Sequence, residues 1–510
     1  MNSKEPRDPA RSPDEIDLPA DPADLFVLLY DTLPTQYFSN HTARKWFKDQ
    51  KVRKRAELVC EDVLSDGFAS VPLIRDIIAE HGDEGVFSVL MGLDRSFEVA
   101  GLYAGETATP AMADIGWRYL STSSLNTNTK HAGLLLPRYT RPSRVVAAWT
   151  RKADFFSVHR VTPADCEGIW HGGILENEPG FPGKAIAVGS APLLERHTDL
   201  KFEFPEDADI GLYRISPADD ELLPRIDVVL RNLEASGAEI GVLPEYTMSE
   251  DLIKHWDTLL HNDPAPNSKL QWILIGTGPV AAGPVGSGPL GTGPLGCSDP
   301  PPNRAMMVDR QTARVLWWQD KMAGFTLGEG QAAEWQLPGR PKHEPAAEDI
   351  THGEKVAVLE TALGRVAILI CEDIKQSATW LGKCQAFGVS HIFVPLFASP
   401  ISKQQRRWER DAAEHCVEQL GTWVVLANSL AVGKEMRITP PLDPEDCFNC
   451  AVVGPAPAPP TKYTKYPTQF CRSSSGTDLA RVVCDEDGRP PEATPGALPP
   501  LPVIWAGRPE

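Results

Sequence analysis

The spacing of apolar positions along this chain changes once, near residue 184. Upstream, DPADLFVLLYD, VRKRAELVCEDVLSDG, PLIRDIIAEHG and EGVFSVLMGLD carry apolar residues three and four apart and close on Gly or Asp. That spacing predicts short helices across 22–103. Downstream, KAIAVGSAP (184–192), IGVLP, WILIG, AMMVD, RVLWW, VAILI, HIFVPL and WVVLANS read as strands. Helices come between some of them. In DELLPRIDVVLRNLEASG, Leu222, Ile226, Val229, Leu230 and Leu233 line one face and Gly237 stops the helix. ISKQQRRWERDAAEHCVEQLG (401–421) predicts another, with Trp408, Ala412, Cys416 and Leu420 at four-residue spacing. Alternating β and α predicts an α/β domain of roughly 300 residues behind a small helical bundle.

The remaining segments complete the layout. Residues 1–21, rich in Pro, Asp and Arg, read as a disordered leader. Residues 22–103 form a bundle of about 80 residues, near the lower size for independent folding; as an interaction module it would bind a protein partner. Residues 104–182 read as a connector, 183–485 as the α/β domain, and 486–510 as a Pro-rich tail. GTGPV AAGPV GSGPL GTGPL (276–295) is a five-residue repeat, not the three-residue period of collagen. Pro and Gly together argue against a ladder strand there, leaving a passive surface loop or a substrate-gating lid.

Charge and cysteine content narrow the function classes. The net charge of −19 over 510 residues argues against a nucleic-acid groove or an anionic membrane surface. Apolar runs are strand-sized, too short to span a bilayer. The N-terminus lacks the apolar core of a signal peptide, so a cytoplasmic protein with mostly reduced thiols among its 10 cysteines is expected. CFNC (447–450), with Cys471 and Cys484 downstream, could hold zinc in principle. The downstream pair is too widely spaced for a zinc ribbon, so core or surface thiols are expected.

Three strand ends carry candidate chemistry. IGVLPE ends on Glu245, RVLWWQDK on Lys321 and VAILIC on Cys371. The carboxyl ends of strands in an α/β sheet are where ligands bind. A carboxylate, a lysine and a cysteine gathered there could supply a base, a positive charge and a nucleophile. Each alone has an ordinary reading, as a strand-end acid, a solvated lysine and a buried thiol. Lys321 near Cys371 would favour the thiolate, so iodoacetamide should mark Cys371 first.

Taken in order, VLPEY (242–246), DKMAGFTLGE (320–329) and LICEDI (369–374) resemble the nitrilase, or carbon–nitrogen hydrolase, superfamily. PNRAMMVD (302–309) is similar to its Asn-containing strand, and WVVLANS (423–429) to its late strand ending in Ala-Asn. The resemblance covers about residues 183–485. It implies an α/β fold, a nitrilase-type αββα sandwich, here preceded by a small all-α domain. It further implies a Glu–Lys–Cys triad: Cys371 the nucleophile at a strand-to-helix elbow, Glu245 the general base, Lys321 the oxyanion partner. The backbone N–H of Glu372 is the candidate second oxyanion donor, and Glu329 the candidate second glutamate, positioning Lys321 or the leaving group. Glu372 and Asp373 are expected to turn the elbow. The implied reaction is hydrolysis of a non-peptide carbon–nitrogen bond (amide, nitrile or carbamoyl) in a small molecule, through a cysteine thioester, with no metal or organic cofactor. Members pair sandwiches face to face, so at least a homodimer is expected. ICEDI is closer to glutaminase-type members, including the amidohydrolase domain of glutamine-dependent NAD synthetases, than to ICYD amidases. Two rival readings stay open: a soluble N-acyltransferase using the same thioester, and a partner-controlled sensor or effector built on this fold.

Overall fold

A computed structural model describes residues 17–102, 134–137, 151–173, 186–205, 211–280, 300–432, 443–454, 466 and 468–484, apart from 264, 266, 336, 338, 340–342, 362 and 406. The leader up to residue 16, the later copies of the Gly/Pro repeat from 281 and the tail from 485 lie outside the described residues. The described residues divide into two compact units, meeting in sequence between Ala164 and Asp165. Among them, no helix is long and apolar enough to cross a membrane.

The first unit opens with helices α1 (Pro22–Thr32), α2 (Gln36–Ser39), α3 (Thr42–Lys48), α4 (Gln50–Asp66) and α5 (Val71–Leu102). The end of the expected leader is ordered. Leu18 is buried in the helical core, and the Asp21 side chain accepts from the N–H groups of Ala23 and Asp24, capping α1. The last two expected helices follow one another along α5 and are separated at Gly82, whose backbone is not helical (φ 55°, ψ −134°), a conformation open to glycine. Phe26, Leu29, Val59, Val63, Phe87 and Leu90 build the core. Part of the 104–182 stretch also belongs to it. Strands β1 (Leu134–Pro137) and β2 (Val158–Val161) pair antiparallel, and Leu135, Phe155, Phe156 and Val158 pack into the helical core. Asp94 accepts the Ser157 N–H at 2.8 Å and fixes that segment to α5.

The second unit is a four-layer sandwich. Its first sheet has six strands in the order β10 (Val315–Asp320), β9 (Asn303–Asp309), β8 (Trp272–Pro279), β7 (Ile240–Val242), β4 (Ile186–Ser190), β19 (Ala480–Cys484). The second has seven, β18 (Thr468–Cys471), β17 (Cys450–Val453), β16 (Trp423–Asn428), β15 (His391–Leu396), β14 (Gly364–Ile368), β13 (Val356–Thr361), β3 (Ile169–Gly173). Period-two alternation sorts the faces. Ile273 and Ile275 of β8, with Met306 and Val308 of β9, share one core with Leu222, Ile226 and Trp256 of helices α6 (Asp219–Ala235) and α7 (Glu250–Asn262). The other face meets the second sheet, where the Gln319 side chain of β10 accepts the Ala357 N–H of β13 at 2.8 Å. Helices α8 (Ser377–Phe387) and α9 (Trp408–Leu420) cover the second sheet's outer side. A small sheet of β11 (Thr326–Leu327), β12 (Ala346–Glu348), β6 (Gly211–Pro217) and β5 (Leu200–Glu203) stands apart from both large ones.

Two local expectations are corrected. The helix expected over 401–421 starts only at Trp408. Asp446 accepts the N–H groups of Lys403 and Gln404, and Ile401 bridges Phe448, so 401–404 is held in loop geometry. The first copy of the Gly/Pro repeat is not a loop either, because Gly276–Pro279 completes β8. Its Pro stands at the strand's last position, where the missing N–H breaks no further ladder bond.

Candidate active site

Three strand ends of the second unit converge on one pocket lined by Glu245, Lys321 and Cys371. Each arrives by a separate local device. Glu245 follows β7, and its N–H donates to the Leu396 carbonyl at the end of β15, tying the first sheet to the second (3.3 Å). The turn behind it carries Tyr246 at φ 60° and is closed by Thr247 Oγ1 donating to the Pro244 carbonyl (2.8 Å). This turn needs Gly276, at φ 88° in β8: a Cβ there would stand 1.8 Å from Thr247 Oγ1 and 2.6 Å from the Pro244 oxygen. Lys321 leaves the β9–β10 hairpin, whose end is locked by the bidentate Arg304–Asp320 pair at 2.6 and 2.9 Å. Cys371 lies beyond β14 at φ 46°, a left-handed position for a non-glycine residue. The chain then enters a short 3-10 turn, Cys371–Lys375. The chain thus turns sharply at Cys371.

The ammonium of Lys321 sits between two carboxylates. Its Nζ donates to Glu245 Oε1 at 2.8 Å and to Glu348 Oε2 at 2.6 Å, with all three side chains buried. Asn303 Nδ2 donates to both acids, at 3.0 Å to Glu245 and 3.3 Å to Glu348. Glu348 also accepts from the Tyr246 hydroxyl (2.6 Å) and the Phe325 N–H (2.9 Å). Cys371 is 4% exposed; its Sγ lies 4.0 Å from the Phe397 carbonyl oxygen, in the pocket that Glu245 also lines.

Glu348, not Glu329, is the acid that meets Lys321 beside Glu245. Glu329 is exposed, beyond the short strand β11. Glu348 sits 27 residues after Lys321, at the end of β12. No local motif announces it; only the small sheet carries it under the lysine. Glu372 turns its side chain to Lys375 (2.9 Å), while its N–H directly follows Cys371 in the first turn. Asp373, expected only as a turn residue, is the tie between elbow and lysine loop. Its carboxylate accepts the N–H groups of Met322 (3.0 Å), Ala323 (2.8 Å) and Ile370 (3.2 Å). Asn428, in the strand ending Ala-Asn, clamps the segment after Phe397 by bonding Ala398 and Ser399.

These surroundings set the protonation states. Burial would lower the Lys321 pKa, but Glu245 and Glu348 overcome this and hold it well above the usual lysine value. Burial raises Glu245, and the Glu348 charge adds to the effect against the pull of Lys321. Burial also opposes ionisation of Glu348, yet Lys321, Tyr246 and the Phe325 N–H bring it below the ordinary value. Burial, and after it the Glu245 charge, push the Cys371 thiol well above its ordinary value, with Lys321 only partly compensating. The expected resting thiolate is thus corrected. Burial first, and then the Glu245 charge, favour the neutral thiol over the thiolate expected beside Lys321. Cys60, Cys384 and Cys416 are buried, whereas Cys447 is half-exposed. Among the described residues, no cluster of His, Cys, Asp and Glu has the arrangement of a metal site.

No protein-family signature matches the chain, and no curated protein sequence matches it. Solved structures do show similarity. A glutamine-dependent NAD+ synthetase from Acinetobacter baumannii, in complex with ADP, is 14% identical with a TM-score of 0.36, covering 62% of this chain and 49% of that one. Nit3 of Saccharomyces cerevisiae, a member of branch 10 of the nitrilase superfamily, is 12% identical with a TM-score of 0.36, over 61% of this chain and 94% of that one. A cysteine-to-alanine mutant of an amidase of the same superfamily, from Nesterenkonia AN1, is 13% identical with a TM-score of 0.33, over 60% and 92%. The chain spans about half the length of the synthetase and most of the other two.

Proposed function

We propose that this chain hydrolyses a non-peptide carbon–nitrogen bond, that of an amide in the first instance, through a thioester on Cys371. The observation that carries the reading is the buried constellation itself: a thiol beside Glu245, with Lys321 bonded to Glu245 and Glu348 at 2.8 and 2.6 Å. Such an arrangement of charged groups is costly to bury and has no packing purpose.

In this reading Glu245 takes the thiol proton as Sγ attacks the carbonyl carbon, so no free thiolate is needed at rest. Charge then develops on the carbonyl oxygen. Two of the three N–H donors of Lys321 are committed to carboxylates, leaving one for that oxygen, with the Glu372 N–H as the second donor. Glu245 passes its proton to the departing amine as the tetrahedral adduct collapses to the thioester. Water then attacks, losing its proton to Glu245, and the acid leaves as the thiol is restored. Glu348 holds Lys321 charged and oriented throughout. An acyl-enzyme is open to an amine as well as to water, so acyl transfer is the competing outcome of the same site.

Intact-mass measurement after mixing with a library of primary amides tests the reading. A mass increment of one acyl group on the wild type, absent in Cys371→Ala together with ammonia release, is expected. The alanine variant should keep the fold, losing about 1–2 kcal/mol at most, the low end for core truncations. Full turnover by Cys371→Ala would exclude the mechanism.

A further inference from the structure

The pocket beside the thiol has a wall built by the small sheet. In β6, Tyr213 and Ile215 lie two residues apart on the same buried face, and Phe202 of β5 stands opposite Ile215 in register. Leu327 of β11 and the stacked pair Phe325–Trp335 (centroids 6.0 Å apart, planes at 2°) continue it. Trp335 also meets Phe397 edge-on at 6.3 Å, and it is the Phe397 carbonyl that lies against Sγ. The space beside the thiol, with the open solvent at its mouth counted in, is about 290 Å³.

The polar groups of this pocket bond one another, with one N–H of Lys321 left for the carbonyl oxygen. Among the described residues, its charged side chains are Glu245 and Lys321, each bonded to the other. The hydroxyl of Tyr213 donates to the Phe325 carbonyl (3.1 Å), and that of Tyr246 to Glu348. An amino acid's ammonium and carboxylate would find no counter-charge here. A charge brought into such a wall without a partner is strongly disfavoured, whereas an aryl or alkyl group is favoured in proportion to its buried area.

Resting on the hydrolase reading above, we infer that the acyl part of the substrate is small, uncharged and apolar, and that glutamine is excluded despite the glutaminase-like ICEDI sequence. Trp335 and Ile215, as wall residues, determine this specificity.

The test compares four primary amides that share ammonia as leaving group, phenylacetamide, hexanamide, L-glutamine and succinamate, on the full-length protein. Expected are kcat/KM values for the first two at least about 100-fold above the last two, in line with the cost of burying an unpaired charge. Trp335→Ala should raise KM for phenylacetamide about tenfold, the loss of one aromatic contact. Cys371-dependent turnover of glutamine or succinamate at rates within about tenfold of hexanamide would overturn the apolar assignment and leave the mechanism standing. Turnover that survives Cys371→Ala, or no reaction with any amide, would remove the mechanism and this inference with it.

Discussion

At the residue scale the site turns on how one positive charge is shared. Lys321 faces two carboxylates and a thiol, so with both acids ionised the group carries a net negative charge, and Glu245 is the member raised by burial and by its neighbour. In the proposed mechanism Glu245 is the general base and must be ionised to act, so the acid limb of kcat/KM should lie above the usual carboxylate range. The Glu348 charge contributes to that elevation. Glu348→Gln removes it and should move the acid limb to lower pH. The plateau should also drop roughly 10–100-fold, the value of a charged hydrogen bond that orients Lys321. A pH series of kcat/KM on both proteins measures this; a limb that stayed in place or rose would deny Glu245 the base role. Of these residues Glu245, Lys321 and Cys371 were legible as strand ends. Glu348 was not, since nothing in AAEDI distinguishes a buried acid from a loop acid.

At the element scale the elbow depends on a carboxylate that bonds backbone rather than substrate. Asp373 joins the turn after β14 to the loop after β10, and burial raises its pKa to about 7 against bonds from three N–H groups that favour the ionised form. Its folded pKa is above the unfolded value of 3.8. Its contribution to stability is therefore fully present below about pH 4 and is lost as pH rises through about 7. Asparagine does not titrate, so Asp373→Asn should lower the melting temperature more at about pH 5 than at about pH 8. Thermal scans of both proteins at the two pH values check this, and a gap that widened with pH would show that the acid is needed ionised. The β8 copy of the Gly/Pro repeat makes a parallel point. Composition reads Gly276 and Gly278 as loop residues, yet their missing side chains make room for the turns that carry Glu245 and Met248.

At the scale of the whole molecule the change of apolar spacing near 184 marks the switch from helical to β/α packing, but not the edge of a folding unit. β3, at Ile169–Gly173, pairs in parallel with β13 over five residues and closes the seven-stranded sheet. A fragment starting at Lys184 would lack that strand. Limited proteolysis followed by mass spectrometry should therefore yield a stable C-terminal product beginning upstream of Ile169, near Asp165. A product beginning near 184 that keeps its melting transition would show β3 to be dispensable.

The sequence by itself determined the elements and the three strand ends that meet in the pocket, because helical and strand periodicities are local and the sheet's carboxyl edge follows from alternation. Tertiary structure alone decided what surrounds them. The second carboxylate, the protonated thiol, the aromatic wall and the tie through Asp373 each join residues far apart in the chain. Their effect arises from burial and from charges brought within a few ångströms, quantities that exist only once the two sheets and the small sheet have closed on one another.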